Sequence, residues 1–140
     1  LMERRIRIKR QLQRLPAWIL TVITLAAVLW LTLAPHPLGD QEPPPLFPGA
    51  DKVVHAIMFG GLTFVALVDW ARGRDFRSVR WPVCILMATL SSLLGIAIEF
   101  IQRSMGMGRS YDPMDMVADI TGSLLVAVVW ICAEACRKPE

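Results

Sequence analysis

The sequence predicts an all-α integral membrane protein, a bundle of four transmembrane helices with both termini in the cytoplasm (N-in/C-in). Three observations carry this expectation. The 140-residue chain is 54% hydrophobic with a mean hydropathy of +0.47, which suits a membrane protein better than a soluble domain. Its apolar residues gather into four stretches of about 19–21 residues, enough at ~1.5 Å per residue to cross a hydrocarbon core of ~30 Å. Its basic residues fall almost entirely on alternate connections. One domain, residues 1–140, is all that this length allows.

The first span covers residues 15–34 and carries no charge between Pro16 and Pro35. Its basic start resembles a signal peptide, but the apolar run exceeds the usual ~7–15 residues, and Thr32-Leu33-Ala34 is followed by Pro35. A retained span is therefore expected. Residues 35–50 hold six prolines with Gly39 and Gly49 between them, so this outer connection is expected to be extended, a semi-rigid strap over the outer face. Phe47-Pro48-Gly49 then turns the chain into the second span, residues 53–71. The third covers 82–102 and the fourth 114–133.

Orientation follows from Lys and Arg in the short connections. Arg4, Arg5, Arg7, Lys9, Arg10 and Arg14 precede the first span; Arg72, Arg74, Arg77 and Arg80 lie between the second and third; Arg137 and Lys138 follow the fourth. Only Lys52, Arg103 and Arg109 fall on the other side, where seven of the twelve acids lie. The basic N-terminus reads as a topogenic anchor beside anionic lipid headgroups rather than a nucleic-acid arm, so the partner is the lipid bilayer and no nucleic acid is expected. Cys84, Cys132 and Cys136 all fall toward the cytoplasmic ends, where disulfides are rare. Two cysteines without further ligands make no zinc site. Nothing in the sequence specifies an oligomer.

The remaining ionisable residues bunch at the outer ends of the spans. A charge at the centre of a transmembrane helix costs about 2.5–3.5 kcal/mol by insertion scales, so several kept at one depth point to use. Asp51, Lys52 and His55 open the second span on a shared face; Asp51 is expected as its N-cap, and Lys52 can snorkel to the headgroups. Glu99 and Gln102 end the third span, on a face continued by the small residues Gly95, Ser92 and Ser91, which let another helix approach. A carboxylate there must be paired, hydrogen-bonded or protonated. Asp112-Pro113 starts the fourth span as an N-cap followed by proline at the first helical position. Asp115 and Asp119 follow one turn apart, with Gly122 beside Asp119 as a close-packing position. Two buried negative charges call for a cation, and Arg109, from a loop with Gly106 and Gly108, is the expected one.

These residues resemble a family. Asp51, Lys52 and His55 at the start of one span, Gly95, Glu99 and Gln102 ending the next, and Gly108, Arg109, Asp115, Asp119 and Gly122 opening the last are similar to the pattern of the VanZ-like family. The resemblance covers the chain from about Asp51 to the end of the fourth span. Asp119 stands where Asn is expected in many members, a departure that puts a single shared protonation scheme in doubt. The resemblance implies a multi-pass protein of the bacterial cytoplasmic (inner) membrane, linked to low-level resistance to teicoplanin-type lipoglycopeptides. It brings no mechanism and no catalytic residue.

Two functional classes follow, with a purely structural ion network as the third reading. In a binding or accessory protein, Lys52 and Arg109 grip an anionic headgroup, Gln102 and Asp119 complete the ligand site, and Glu99, His55 and Asp115 accept hydroxyl or amine donors. An anionic lipid, a lipid-linked wall precursor or a lipoglycopeptide fits such a half-wet site. In an intramembrane hydrolase or transferase, His55 and Glu99 act as acid and base while Asp115 holds the His55 tautomer. The chain has no strong nucleophile motif and no glycine-rich phosphate cradle. A metal variant would use His55 with carboxylates, but no tight multi-ligand spacing occurs, so no metal and no other cofactor is expected.

Overall fold

The computed structural model describes residues 2–37, 39, 44–106 and 111–137, with backbone only for Arg5 and Lys9. Every regular element among them is helical: α1 (Met2–Gln13), α2 (Ile19–Leu33), α3 (Ala50–Arg72), α4 (Trp81–Met105) and α5 (Pro113–Cys136). The helices α3, α4 and α5 are long and apolar enough to cross a membrane. By helix length and composition the chain is a multi-pass membrane protein.

The second, third and fourth predicted spans each fall within one helix, extended outward by a few residues at their ends. The first does not start where expected. Trp18 takes a left-handed conformation (φ 63°) just before Ile19, and Pro16 precedes it, so the chain turns between α1 and α2. What remains is 15 residues, roughly 22 Å of helix.

A buried ion pair fastens this turn. Asp69, near the end of α3, accepts from the Thr21 backbone N–H and hydroxyl, both at 2.8 Å, and so caps the first turn of α2. Arg72 binds Asp69 Oδ1 through Nε and Nη2 at 3.1 and 2.7 Å. Its remaining donors reach the carbonyls of Leu12, Leu15 and Pro16 at 2.6, 2.9 and 2.8 Å, where α1 has ended and its last carbonyls need partners. In the sequence Arg72 counts only as a basic residue after the second span; packing with Asp69 makes it part of a joint.

At the other end, Gln102 Nε2 donates to the Thr32 carbonyl at 2.6 Å and ties α4 to the end of α2. Gln102, expected in the ligand site, thus also holds the helix packing through its amide nitrogen. Between the two ties, Val28, Phe59 and Ile98 bury one another with Leu29, Leu33, Met58 and Leu94 around them. A second apolar cluster around Leu67, Cys84, Ala88 and Ala127 fills the opposite half of the bundle.

The largest interface joins α3 and α5, and glycine sets its spacing. A Cβ on Gly122 would lie 2.1 Å from the Ala56 carbonyl oxygen, and one on Gly60 would lie 3.0 Å from that of Gly122. Such contact between backbones is the small-residue packing that lipid-embedded helices use. The outward faces carry Ile57, Phe64, Leu90, Leu93, Leu125 and Val129, all exposed as lipid-facing residues should be. In the proline-rich connection, residues 44–49 are exposed and non-helical until the turn at Gly49; residues 38 and 40–43 lie outside the described ones.

Candidate functional site

The N-terminal ends of α3 and α5 and the C-terminal end of α4 meet at one end of the bundle, and their polar side chains converge there. Asp51 was expected to cap α3. Gly49 takes that position instead, with φ 82°, and Asp51 stands in the first helical turn. Asp112 does cap α5: its side chain accepts from the Met114 N–H at 2.9 Å, with Pro113 following.

Lys52 sits among three carboxylates. Its ammonium lies 2.5 Å from Asp51 Oδ2 and 2.8 Å from Asp115 Oδ1, and it hydrogen-bonds Asp112 Oδ2. The Asp115 contact is an ion pair by distance but is out of line for a hydrogen bond. The Lys52 ammonium, followed by the Met114 N–H, holds the Asp112 carboxyl below its ordinary value of 3.8. Lys52 is thus an internal counter-ion to acids, with little capacity left to grip an anionic headgroup.

One turn deeper the arrangement changes. His55 Nδ1 lies 2.9 Å from Asp119 Oδ1, while His55 Nε2 faces Asp115 Oδ2 at 3.7 Å. The sequence reading gave Asp115 the task of orienting His55; Asp119 holds that place. Gly95 makes room for it, since a Cβ there would fall 2.5 Å from Asp119 Oδ2. Phe59 stacks beneath His55 with ring centroids 6.5 Å apart, so the floor of the cluster is apolar.

Glu99 completes the group. It is 1% exposed, its Oε2 accepts a long 3.4 Å hydrogen bond from the Asp112 N–H, and its Oε1 is buried with no hydrogen-bond partner among the described residues. Such an oxygen forfeits its hydration and receives nothing in return, at a cost of about 1–3 kcal/mol or more. His55, Glu99 and Asp115 each offer an atom within 4.8 Å of the others, and so do Asp51, Asp112 and Asp115.

Exposure falls steadily along this set. The side chains of Asp51, Asp112 and Lys52 are 60%, 35% and 30% exposed, those of Asp115 and His55 both 15%, and that of Asp119 1%. The polar groups thus form a path from the end of the bundle to Glu99 and Asp119. Arg103, the other basic residue described near this end, lies over the Tyr111 ring at 5.3 Å. Arg109, expected to neutralise Asp115 and Asp119, lies outside the described residues, as does Gly108. Among the described residues, Lys52 contacts Asp115 and His55 contacts Asp119.

Comparison of the chain with family profiles, characterised proteins and solved structures finds no match. The functional reading therefore rests on the site.

Proposed function

We propose that this is a VanZ-like integral membrane protein of the bacterial cell envelope, a binding or accessory protein whose polar site opens at the outer face of the cytoplasmic membrane. The observation that carries the reading is the path of falling exposure that ends at the unpartnered Oε1 of Glu99. A site that leaves a buried acceptor unsatisfied fits a ligand that brings the missing donor.

Four membrane crossings fit α2 as well as the longer helices. Although short, α2 is fastened at one end to Asp69 of α3 and at the other to Gln102 of α4. The lopsided distribution of Lys and Arg supports cytoplasmic termini and an outward-facing site.

Among the described residues the cluster has five carboxylates, Lys52 and His55, an excess of acceptors. The ligand class it suits is therefore an amphipathic molecule presenting hydroxyl or ammonium donors, such as a lipid-linked wall precursor or a lipoglycopeptide. An anionic phosphate on the same molecule falls to Arg109. Native mass spectrometry of protein released from defined nanodiscs, with and without added lipid-linked disaccharide-peptide precursor, tests this. Saturable retention that weakens in Glu99→Gln supports the reading; retention indifferent to Glu99 contradicts it.

One observation favours the enzyme reading. With Asp119 ionised, His55 carries its proton on Nδ1 and presents the Nε2 lone pair toward Glu99 and Asp115, as an acid–base dyad would. Turnover of the added precursor that is lost in His55→Ala would move the assignment to a hydrolase or transferase.

A further inference from the structure

Two groups of side chains at this end have the spacing of a cation site, and they differ in one respect. The outer one, Asp51, Asp112 and Asp115, already surrounds the Lys52 ammonium. The inner one, His55, Glu99 and Asp115, has no Lys or Arg ammonium or guanidinium on Glu99 among the described residues.

Geometry around His55 narrows what the inner group can hold. His55 Nδ1 lies 2.9 Å from Asp119 Oδ1, so the other ring nitrogen, Nε2, is the one aimed at Asp115 Oδ2, 3.7 Å away. A carboxylate behind a histidine, with the far nitrogen aimed at other ligands, is the arrangement that orients metal-bound histidines. The buried Glu99 oxygen supplies the third donor, and the apolar floor at Phe59 keeps the dielectric low. One imidazole with two carboxylates is a mixed nitrogen and oxygen set, suited to zinc or manganese rather than to the all-oxygen spheres of calcium and magnesium.

We propose that His55, Glu99 and Asp115 bind one divalent cation of the zinc or manganese class, with Asp119 positioning His55 from outside the coordination sphere. The site stands on this side-chain geometry and does not depend on which amphipathic ligand reaches the cluster. It goes beyond that reading in one respect. A divalent ion adds positive charge to the inner group, which the Lys52 ammonium reaches only at Asp115, so the same pocket can receive an anionic headgroup oxygen on an open coordination position. The ligands come from three different helices, which is why their spacing along the chain shows no metal motif.

The test uses the full chain in detergent, stripped with a chelator, dialysed metal-free and titrated with Mn²⁺ while electron paramagnetic resonance follows the free ion. Saturable uptake of one Mn²⁺ per chain is expected, with nitrogen hyperfine coupling from His55 and displacement by Zn²⁺. His55→Ala should abolish the nitrogen coupling, and Asp119→Asn should weaken binding about 10–100-fold. Asp51→Asn, in the outer group, should leave it unchanged. Wild-type protein that takes up no stoichiometric Mn²⁺ or Zn²⁺ overturns the proposal, without bearing on ligand retention. So does a nitrogen coupling that persists in His55→Ala.

Discussion

Asp119 on α5 holds His55 on α3 across the most extensive helix interface among the described residues, Oδ1 to Nδ1 at 2.9 Å. The contact depends on Gly95 of α4, against which Asp119 rests. Three helices thus set the orientation of one imidazole. In Gly95→Ala the new methyl displaces the Asp119 carboxylate, and His55 should lose its hydrogen bond at Nδ1. Nitrogen NMR of histidine-labelled protein reports this directly. A His55 spectrum identical in wild type and Gly95→Ala would contradict the assignment of Asp119 as its anchor.

The α3/α5 spacing should tolerate no side chain at Gly122. Gly122→Ala drives a Cβ into the Ala56 carbonyl and is expected to cost at least about 1–3 kcal/mol. Gly61→Ala, one residue from Gly60 on open surface, should instead be neutral or stabilising by up to about 1 kcal/mol through helix propensity. Thermal melts in detergent compare the two. Equal melting temperatures would mean that the interface is looser than these distances.

At the opposite end, Arg72→Ala leaves the buried Asp69 carboxylate without its guanidinium and frees the carbonyls of Leu12, Leu15 and Pro16. Breaking a buried pair from one side costs about 3–5 kcal/mol. Limited proteolysis should then cut between α1 and α2, near residues 14–18. Unchanged protection would mean that α1 and α2 are held by something other than Arg72.

Acid should act on the Lys52 group only late. The Asp112 carboxyl is held below its ordinary value by Lys52, so its contribution to stability is complete above 3.8 and is lost as the pH falls through its lowered folded value. The stability difference between wild type and Asp112→Asn should be flat at neutral pH and shrink only below 3.8. Asparagine keeps the capping function, so the comparison isolates the ion pair. A difference that fades already near pH 6 would point to another group.

Topology is open to a labelling experiment. With Asp51→Cys introduced, a membrane-impermeant maleimide should modify position 51 in intact spheroplasts. The native Cys132 and Cys136, exposed at the far end of α5, should react only once the membrane is opened. The reverse pattern would place the site on the cytoplasmic side.

Much of this arrangement is legible in the sequence where local rules operate. Apolar run length located α3, α4 and α5, Asp112-Pro113 announced the start of α5, and the face of Ser91, Ser92, Gly95, Glu99 and Gln102 is buried as its small residues implied. Legibility ends where packing decides. Gly49 rather than Asp51 precedes α3 because a positive φ suits glycine there. The left-handed Trp18 shortens α2, which hydropathy alone does not show. The pairing of Asp119 rather than Asp115 with His55 depends on the rotation of α5 against α3, a quantity set by Gly60 and Gly122. Asp69 and Arg72, three residues apart beside a basic loop, carry a faint signal, since an acid near the end of an apolar span needs a partner. Their role with α1 and α2 required the tertiary contact.

The central claim is that Glu99 is kept for a ligand at the expense of stability, and the melting temperature of Glu99→Gln beside wild type in detergent, without added ligand, tests it most directly. Removing a buried carboxyl group whose Oε1 has no partner among the described residues should leave the melting temperature unchanged or raise it, while ligand retention is lost. A fall of several degrees with retention unaffected would show that the cluster is a structural ion network and would contradict the account.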